Sequence, residues 1–210
     1  MCRYLVFLVF LTLSFTLSAQ RGRKKVFHTS AFAGFTAAQV QGDGLGGFDK
    51  PGLTAGFGVG NRINKKWGIG FELSFVQKGS RKVQDPDNED YTYYRLSLNY
   101  AEVPLLVQYY RKKLTVFAGP TVGYLLGSHE EISGEILPIQ NPFRKYEVGV
   151  TLGAAYRFAR KWDISMRIQD SALSIRPTPA YAKGFLGRYS GQYNTVLNFV
   201  LVYQFSGDKK

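Results

Sequence analysis

Six ionisable residues stand inside otherwise apolar stretches of this 210-residue chain: Glu72, Lys78, Glu102, Glu147, Arg157 and Arg167. Carboxylates and cations that share one enclosed space can pair and hold a framework in register, conduct a proton or ion, or bind a small polar ligand. An ion taken out of water without a partner costs more than a domain's whole net stability. Pairing that fills an interior and fixes register is therefore the first expectation, with an ion path or a small-ligand site as the alternative.

Nucleophilic catalysis needs a base beside its nucleophile, and only His28 and His129 supply imidazole. His129 follows Ser128 and precedes Glu130, but neighbours on an extended strand point to opposite faces, which argues against direct Ser128 and His129 chemistry. The glycine pattern Gly56-Phe57-Gly58-Val59-Gly60 leads into a strand, so it lacks the helix N-terminus of a dinucleotide site. The acidic stretches Asp85-Pro86-Asp87-Asn88-Glu89-Asp90 and Glu130-Glu131 lack the spacing of a calcium-binding loop and read as solvated loops. No enzymatic activity, cofactor or metal site is expected.

The elements that must position the six charges have a period of two. Trp67, Ile69, Phe71, Leu73 and Phe75 alternate with Gly68, Gly70, Glu72 and Ser74. Tyr146, Val148, Val150, Leu152, Ala154, Tyr156 and Phe158 alternate with Glu147, Gly149, Thr151, Gly153, Ala155 and Arg157. Trp162, Ile164, Met166 and Ile168 alternate with Asp163, Ser165, Arg167 and Gln169, and a final strand places Thr195, Leu197, Phe199, Leu201, Tyr203 and Phe205 on one face. Strands are also expected at about Val26 to Val40 and Leu53 to Ile63, whose Gly and Ala content leaves their facing open. Two more run from Tyr93 to Tyr109 and from Leu114 to Ser128. In the first of these the apolar parity changes between Leu98 and Val103, which predicts a β-bulge near Asn99 to Glu102, with Pro104 breaking the pairing. Gly119-Pro120 interrupts the second.

Connections alternate in length. Short basic links lie at Asn64-Lys65-Lys66, Arg111-Lys112-Lys113 and Ala159-Arg160-Lys161; long stretches lie at Gln41 to Gly52, Arg81 to Thr92, His129 to Lys145 and Ser171 to Gln192. One face small or charged, the other bulky and apolar, with short turns on one rim and long loops on the other, describes a bacterial membrane barrel whose short turns are periplasmic. Trp67, Tyr109, Tyr110, Phe158 and Trp162 beside the short turns are expected to form an interfacial aromatic girdle.

At the N-terminus, Met1-Cys2-Arg3 precedes an apolar run from Tyr4 to Leu17 and then Ser18-Ala19-Gln20. This is the pattern of a secretory signal cut after Ala19. The run is shorter than the ~20 residues a spanning helix needs. Cleavage removes Cys2, the sole cysteine, and leaves no thiol for a disulfide, metal or catalysis. The expectation is residues 1–19 as signal peptide and 20–210 as one domain: an all-β, eight-stranded antiparallel up-and-down transmembrane β-barrel in the bacterial outer membrane.

Net charge is +12, with the excess at Lys65, Lys66, Arg111, Lys112, Lys113, Arg160, Lys161 and the chain ends. Export and the absence of a groove-reading motif exclude nucleic acid. A basic periplasmic rim suits anionic lipid or an acidic envelope partner.

Several segments resemble the PorT-like outer-membrane barrels of Bacteroidota. They are Gln41-Gly42-Asp43, Gly47-Phe48-Asp49-Lys50-Pro51-Gly52, Glu72-Leu73-Ser74-Phe75-Val76-Gln77-Lys78-Gly79-Ser80, Tyr100-Ala101-Glu102-Val103-Pro104-Leu105-Leu106, Ala118-Gly119-Pro120 and the aromatic last strand. Arg167 to Ser171 depart from that pattern. The resemblance implies an eight-stranded outer-membrane barrel and, from the named member of the family, a part in type IX secretion. The functional expectation is a non-enzymatic interaction or structural component of the envelope; the alternatives are a small pore or ligand-binding barrel and, third, an outer-membrane enzyme.

Overall fold

The computed structural model describes residues 27–84, 87, 89–133, 135–136, 141–184 and 187–205. The expected signal peptide lies outside them. The described strands are β1 (Phe27–Gln41), β2 (Lys50–Arg62), β3 (Trp67–Lys82), β4 (Tyr94–Arg111), β5 (Leu114–Ile132), β6 (Glu135–Ile136), β7 (Tyr146–Ala159), β8 (Trp162–Ser171), β9 (Arg176–Gly184) and β10 (Gly187–Gln204). Eight of these form a wall in the order β1-β2-β3-β4-β5-β7-β8-β10, every neighbouring pair antiparallel. β10 returns to β1, with Ser30 opposite Gln204 and Gln41 opposite Tyr193, so the described wall is a closed eight-stranded barrel without a free edge. β6 adds to the end of β5, and β9 pairs with the start of β10.

The short links turn as their residues dictate. The Asn64 carboxamide accepts from the Lys66 and Trp67 amides, both at 2.8 Å, and Lys112 takes a positive φ of 53° in the two-residue turn between β4 and β5. At the other rim the strands run further than the alternation suggests. β5 continues to Ile132, so Ser128 to Glu131 lie in a strand rather than a loop. The stretch from Ser171 to Gln192 is not one loop either, since β9 and the first residues of β10 form a hairpin within it.

Outward-facing residues of the wall make an apolar belt. Phe71 is 50% exposed, Phe35 69% and Leu152 50%, whereas their strand neighbours Glu72 and Thr151 are buried. From Trp67 to Phe75 this belt is nine residues long. At about 3.3 Å per residue and a strand tilt of about 40°, it rises roughly 20 Å, matching the hydrocarbon thickness of an outer membrane. The Gly- and Ala-rich strands take definite facings: Phe32, Thr36 and Val40 point inward, Phe35, Leu53 and Phe57 outward.

Polar side chains bond to one another above the belt. Gln77 donates to Asn99 at 3.3 Å, Gln41 donates to Thr195 at 2.8 Å, and Thr195 donates to Asp170 at 2.5 Å. The polarity of the wall inverts across this ring. In β4, Leu96, Leu98, Tyr100, Glu102 and Leu106 are all buried, with no change of parity along the strand. The bulge expected in β4 is therefore not there. The extra residue sits in β5: Asn99 faces Gly127 but Tyr100 faces Leu125, leaving Leu126 over. The apolar residues change side because the surroundings change. Inside the membrane the outer face meets lipid, whereas above it the outer face meets water and the interior must supply the dry side.

Pro104 does interrupt the ladder between β3 and β4, since Glu72 and Leu73 have no register partner on β4 while Phe71 pairs Leu105 and Ser74 pairs Glu102. Pro120 points outward; β5 continues through it, but its ladder with β4 is interrupted as expected, since Pro104 pairs Thr121 and Val107 pairs Ala118 while Gly119 and Pro120 have no partner on β4. Beside it, a Cβ on Gly119 would lie 1.8 Å from the Leu105 carbonyl oxygen. Gly119→Val is accordingly expected to abolish assembly of the β4 and β5 pair. The loss of the compact, heat-modifiable band on electrophoresis of refolded protein would register it; a normal folded yield would contradict the close approach.

Candidate functional site

Inward-facing side chains fill the lumen in layers. Nearest the short turns is an open vestibule of about 90 Å³, bordered by His28, Arg62, Gln108, Tyr110, Arg157 and Asp163. Tyr110 faces this space, with its hydroxyl donating to Gln108 and its ring under Arg62 at 4.2 Å, so it is not part of the outer girdle. Its parity is that of Gln108 rather than Tyr109. The girdle consists instead of edge-on pairs, Trp67 with Tyr109 at 4.9 Å and Trp162 with Tyr203 at 4.9 Å. Arg157 makes a two-point bond with Asp163, at 2.8 and 3.2 Å, and Gln204 donates to the same carboxylate at 3.0 Å.

The next layer is the pair Glu72 and Arg167, joined at 2.5 and 3.3 Å and buried. The guanidinium lies between two rings, 4.7 Å from the Phe32 centroid and 5.2 Å from the Phe117 centroid. Glycines make the room: a Cβ on Gly56 would meet Phe32 at 2.8 Å, and one on Gly153 would meet Phe117 at 2.6 Å.

Above this, Lys78 bridges Glu102 at 2.5 Å and Glu147 at 2.8 Å. Their remaining acceptor sites are taken by neutral donors. Glu102 accepts from Gln169 at 3.0 Å, and Glu147 accepts from Ser171 at 2.7 Å and Asn194 at 2.9 Å. Asn198 donates to Gln169 at 3.1 Å. Sequence reasoning places Gln169 on the inner face of its strand but does not single out these uncharged residues. They complete the network because each carboxylate has more lone pairs than one lysine can satisfy.

An apolar plug closes the long-loop end. Val40, Leu96, Leu98, Tyr100 and Leu125 from the wall meet Phe143 and Ile175 from the loops. Those loops are pinned by backbone bonds, Arg144 N–H to the Ile175 carbonyl at 2.8 Å and Ile175 N–H to the Gln192 carbonyl at 2.8 Å. Arg176 pairs with Glu130 at 3.3 Å and lies 4.7 Å from the Phe143 ring. Burial and the adjacent Glu130 carboxylate push the Tyr94 hydroxyl far above its ordinary range, so it remains a donor, to Glu130 at 2.8 Å.

The structure thus divides the six charges into three groups rather than one network. Arg157 belongs to the vestibule with Asp163, Glu72 pairs with Arg167, and Lys78, Glu102 and Glu147 form a triad. The residues Lys65, Lys66, Arg111, Lys112, Lys113 and Arg160 are exposed around the short turns, and Lys161 is half-buried with its ammonium donating to Tyr203 at 3.3 Å. His129 is exposed on the outer face opposite Ser97, whereas Ser128 opposes the inward Leu98. Glu130 turns inward to Arg176, so the Glu130-Glu131 pair is not an acidic loop. Among the described residues no three of His, Cys, Asp and Glu converge as metal ligands. The acidic run from Asp85 to Asp90 lies partly outside those residues; within it Asp90 pairs with Lys82 at 2.5 Å.

A closed eight-stranded wall, apolar toward lipid and ion-paired within, defines an integral β-barrel of the bacterial outer membrane. The family described as outer membrane protein beta-barrel domain matches residues 18–171, and the chain belongs to it. No curated protein sequence matches. Among solved structures, Neisserial surface protein A is similar at 14% identity over 85% of this chain and 97% of that one, with a TM-score of 0.47. The Ail attachment invasion locus protein of Yersinia pestis, solved with a heparin analogue, is 15% identical over 85% and 99%, with a TM-score of 0.44. The outer membrane protein AlkL in lipid bilayers is 13% identical over 91% and 96%, with a TM-score of 0.41.

Proposed function

We propose that the protein is a non-conducting, non-enzymatic interaction component of the envelope, exported by a signal cleaved after Ala19, with its short-turn rim in the periplasm and its long loops outside. The observation that carries this reading is the filled lumen. A solute entering the vestibule meets the Glu72 and Arg167 pair, then the Lys78 triad, then the apolar plug, and a wall of eight strands leaves no room around them. What such a barrel offers is its rims. The basic short turns suit an acidic periplasmic partner or anionic headgroups, and the resemblance to PorT-like barrels supports a secretion or assembly apparatus as the system served.

Crosslinking in intact envelopes is expected to capture an envelope protein in the wild type and to lose it when Lys65, Lys66, Lys112, Lys113, Arg160 and Lys161 are all changed to Gln. Capture that survives this change and deletion of the long loops would remove the reading. In planar bilayers the refolded protein is expected to be electrically silent. Reproducible unitary currents abolished in Arg157→Gln or Arg167→Gln would establish the pore instead.

A further inference from the structure

The filled lumen makes the vestibule a blind cup. Its floor is the buried pair of Glu72 and Arg167, and its mouth lies at the short turns. Glycines clear its wall. Gly58, Gly60 and Gly70 share the inward parity of Arg62 and Glu72, and Gly60 opposes Gly70 directly, so β2 and β3 present bare backbone to the space. A Cβ on Gly70 would lie 2.5 Å from the Gln108 side-chain nitrogen, and one on Gly58 would lie 2.8 Å from the Ser30 hydroxyl oxygen. The volume of about 90 Å³ holds on the order of six waters.

Charge selects what such a cup can hold. Arg62, Arg157 and Arg167 border it against Glu72 and Asp163, an excess of one positive charge with His28 neutral. Arg157 gives its Nε and one terminal nitrogen to Asp163, and its side chain is still 31% exposed. Stacking on the Tyr110 ring at 4.2 Å holds the Arg62 guanidinium beside the cup. The three short turns around the mouth add Lys65, Lys66, Arg111, Lys112, Lys113, Arg160 and Lys161 and no carboxylate. A cleft of one sign between low-dielectric walls concentrates the opposite charge. A guanidinium fork matches the two oxygens of a carboxylate, and an excess of one charge balances one carboxylate rather than a phosphate dianion.

We infer that the vestibule is a binding site for a single carboxylate group, with Arg62 as its fork and the glycine wall of β2 and β3 admitting the small group that carries it. The way beyond is closed by the ion pairs and the apolar plug, so the site holds its ligand and does not pass it on. Two sources share this chemistry, a free short-chain acid and the C-terminus of a polypeptide. The second rests on the periplasmic partner proposed above, whereas the carboxylate site does not.

The test uses isotope-labelled protein isolated from outer membranes in an uncharged maltoside detergent, with backbone amide NMR shifts as the readout. It is titrated with acetate and, separately, with a short neutral peptide ending in alanine whose C-terminus is either free or amidated. Saturable shifts at Gly58, Gly60 and Gly70 are expected with at least one carboxylate and none with the amide. Acetate alone assigns a free acid, the free peptide alone assigns a polypeptide terminus, and both together assign the carboxylate whatever carries it. Arg62→Gln is expected to weaken binding about tenfold or more. Gly60→Val is expected to abolish binding and keep the heat-modifiable folded band, because a Cβ there meets nothing closer than 3.6 Å and the side chain grows into the cup. No saturable shifts, shifts confined to the short turns, equal binding of the amide, or binding unchanged in either variant overturns the proposal. Neither variant alters a basic turn, so this site is read on the purified protein and the rim on envelope crosslinking, and the two fail separately.

Discussion

Lys78→Met is expected to destabilise the barrel by about 3–5 kcal/mol, because it leaves the two carboxylates of Glu102 and Glu147 buried together without their cation. Urea titration of protein inserted in lipid vesicles measures this directly. The loss is larger than that of a surface pair because the three side chains are at most 4% exposed, so water cannot take over the role of the lysine. Adding Glu147→Gln to Lys78→Met removes one of the stranded charges while keeping a group that Ser171 and Asn194 can still reach, and part of the lost stability is expected to return. A single variant within about 1 kcal/mol of wild type would mean that the triad does not hold the lumen together.

Leu98→Asn is expected to cost about 2–5 kcal/mol, while Asn99→Leu beside it changes stability by no more than about 0.5 kcal/mol. Both lie on β4 above the polar ring, where Leu98 is fully buried in the plug and Asn99 accepts one bond of 3.3 Å from Gln77. If the outer face there were lipid-facing, the ordering would reverse, with Leu98→Asn mild and Asn99→Leu stabilising. The same urea titration separates the two, and the reversed order would refute the inversion of polarity along the wall.

These two substitutions mark where local pattern and tertiary structure part. The alternation in β3, β7 and β8 follows from the chain alone, because lipid on one side and a narrow lumen on the other sort side chains by parity. It sets Glu72, Glu147 and Arg167 opposite the apolar faces, and the alternating connection lengths give the hairpin order and the strand count. Three things are not in the local pattern. Strand parity says which residues share a face but not which medium that face meets, so the apolar run of Leu96 and Leu98 reads as outward until the polar ring shows that the wall has left the membrane. For the same reason the extra residue is in β5 rather than β4. Gly- and Ala-rich β1 and β2 carry too little contrast to set a facing, and only pairing with β3 and β10 decides it.

The partners of the lumen charges are also set by closure. Lys78 meets Glu147 across 69 residues of chain, and Arg167 meets Glu72 across 95. Those meetings depend on how far the strands slide past one another before β10 closes on β1, a quantity no single strand encodes. Composition and periodicity thus determined that this chain is a barrel and which side chains share a face. The closed wall decided which ions meet, because the distance across a lumen is a property of the whole ring of hydrogen bonds.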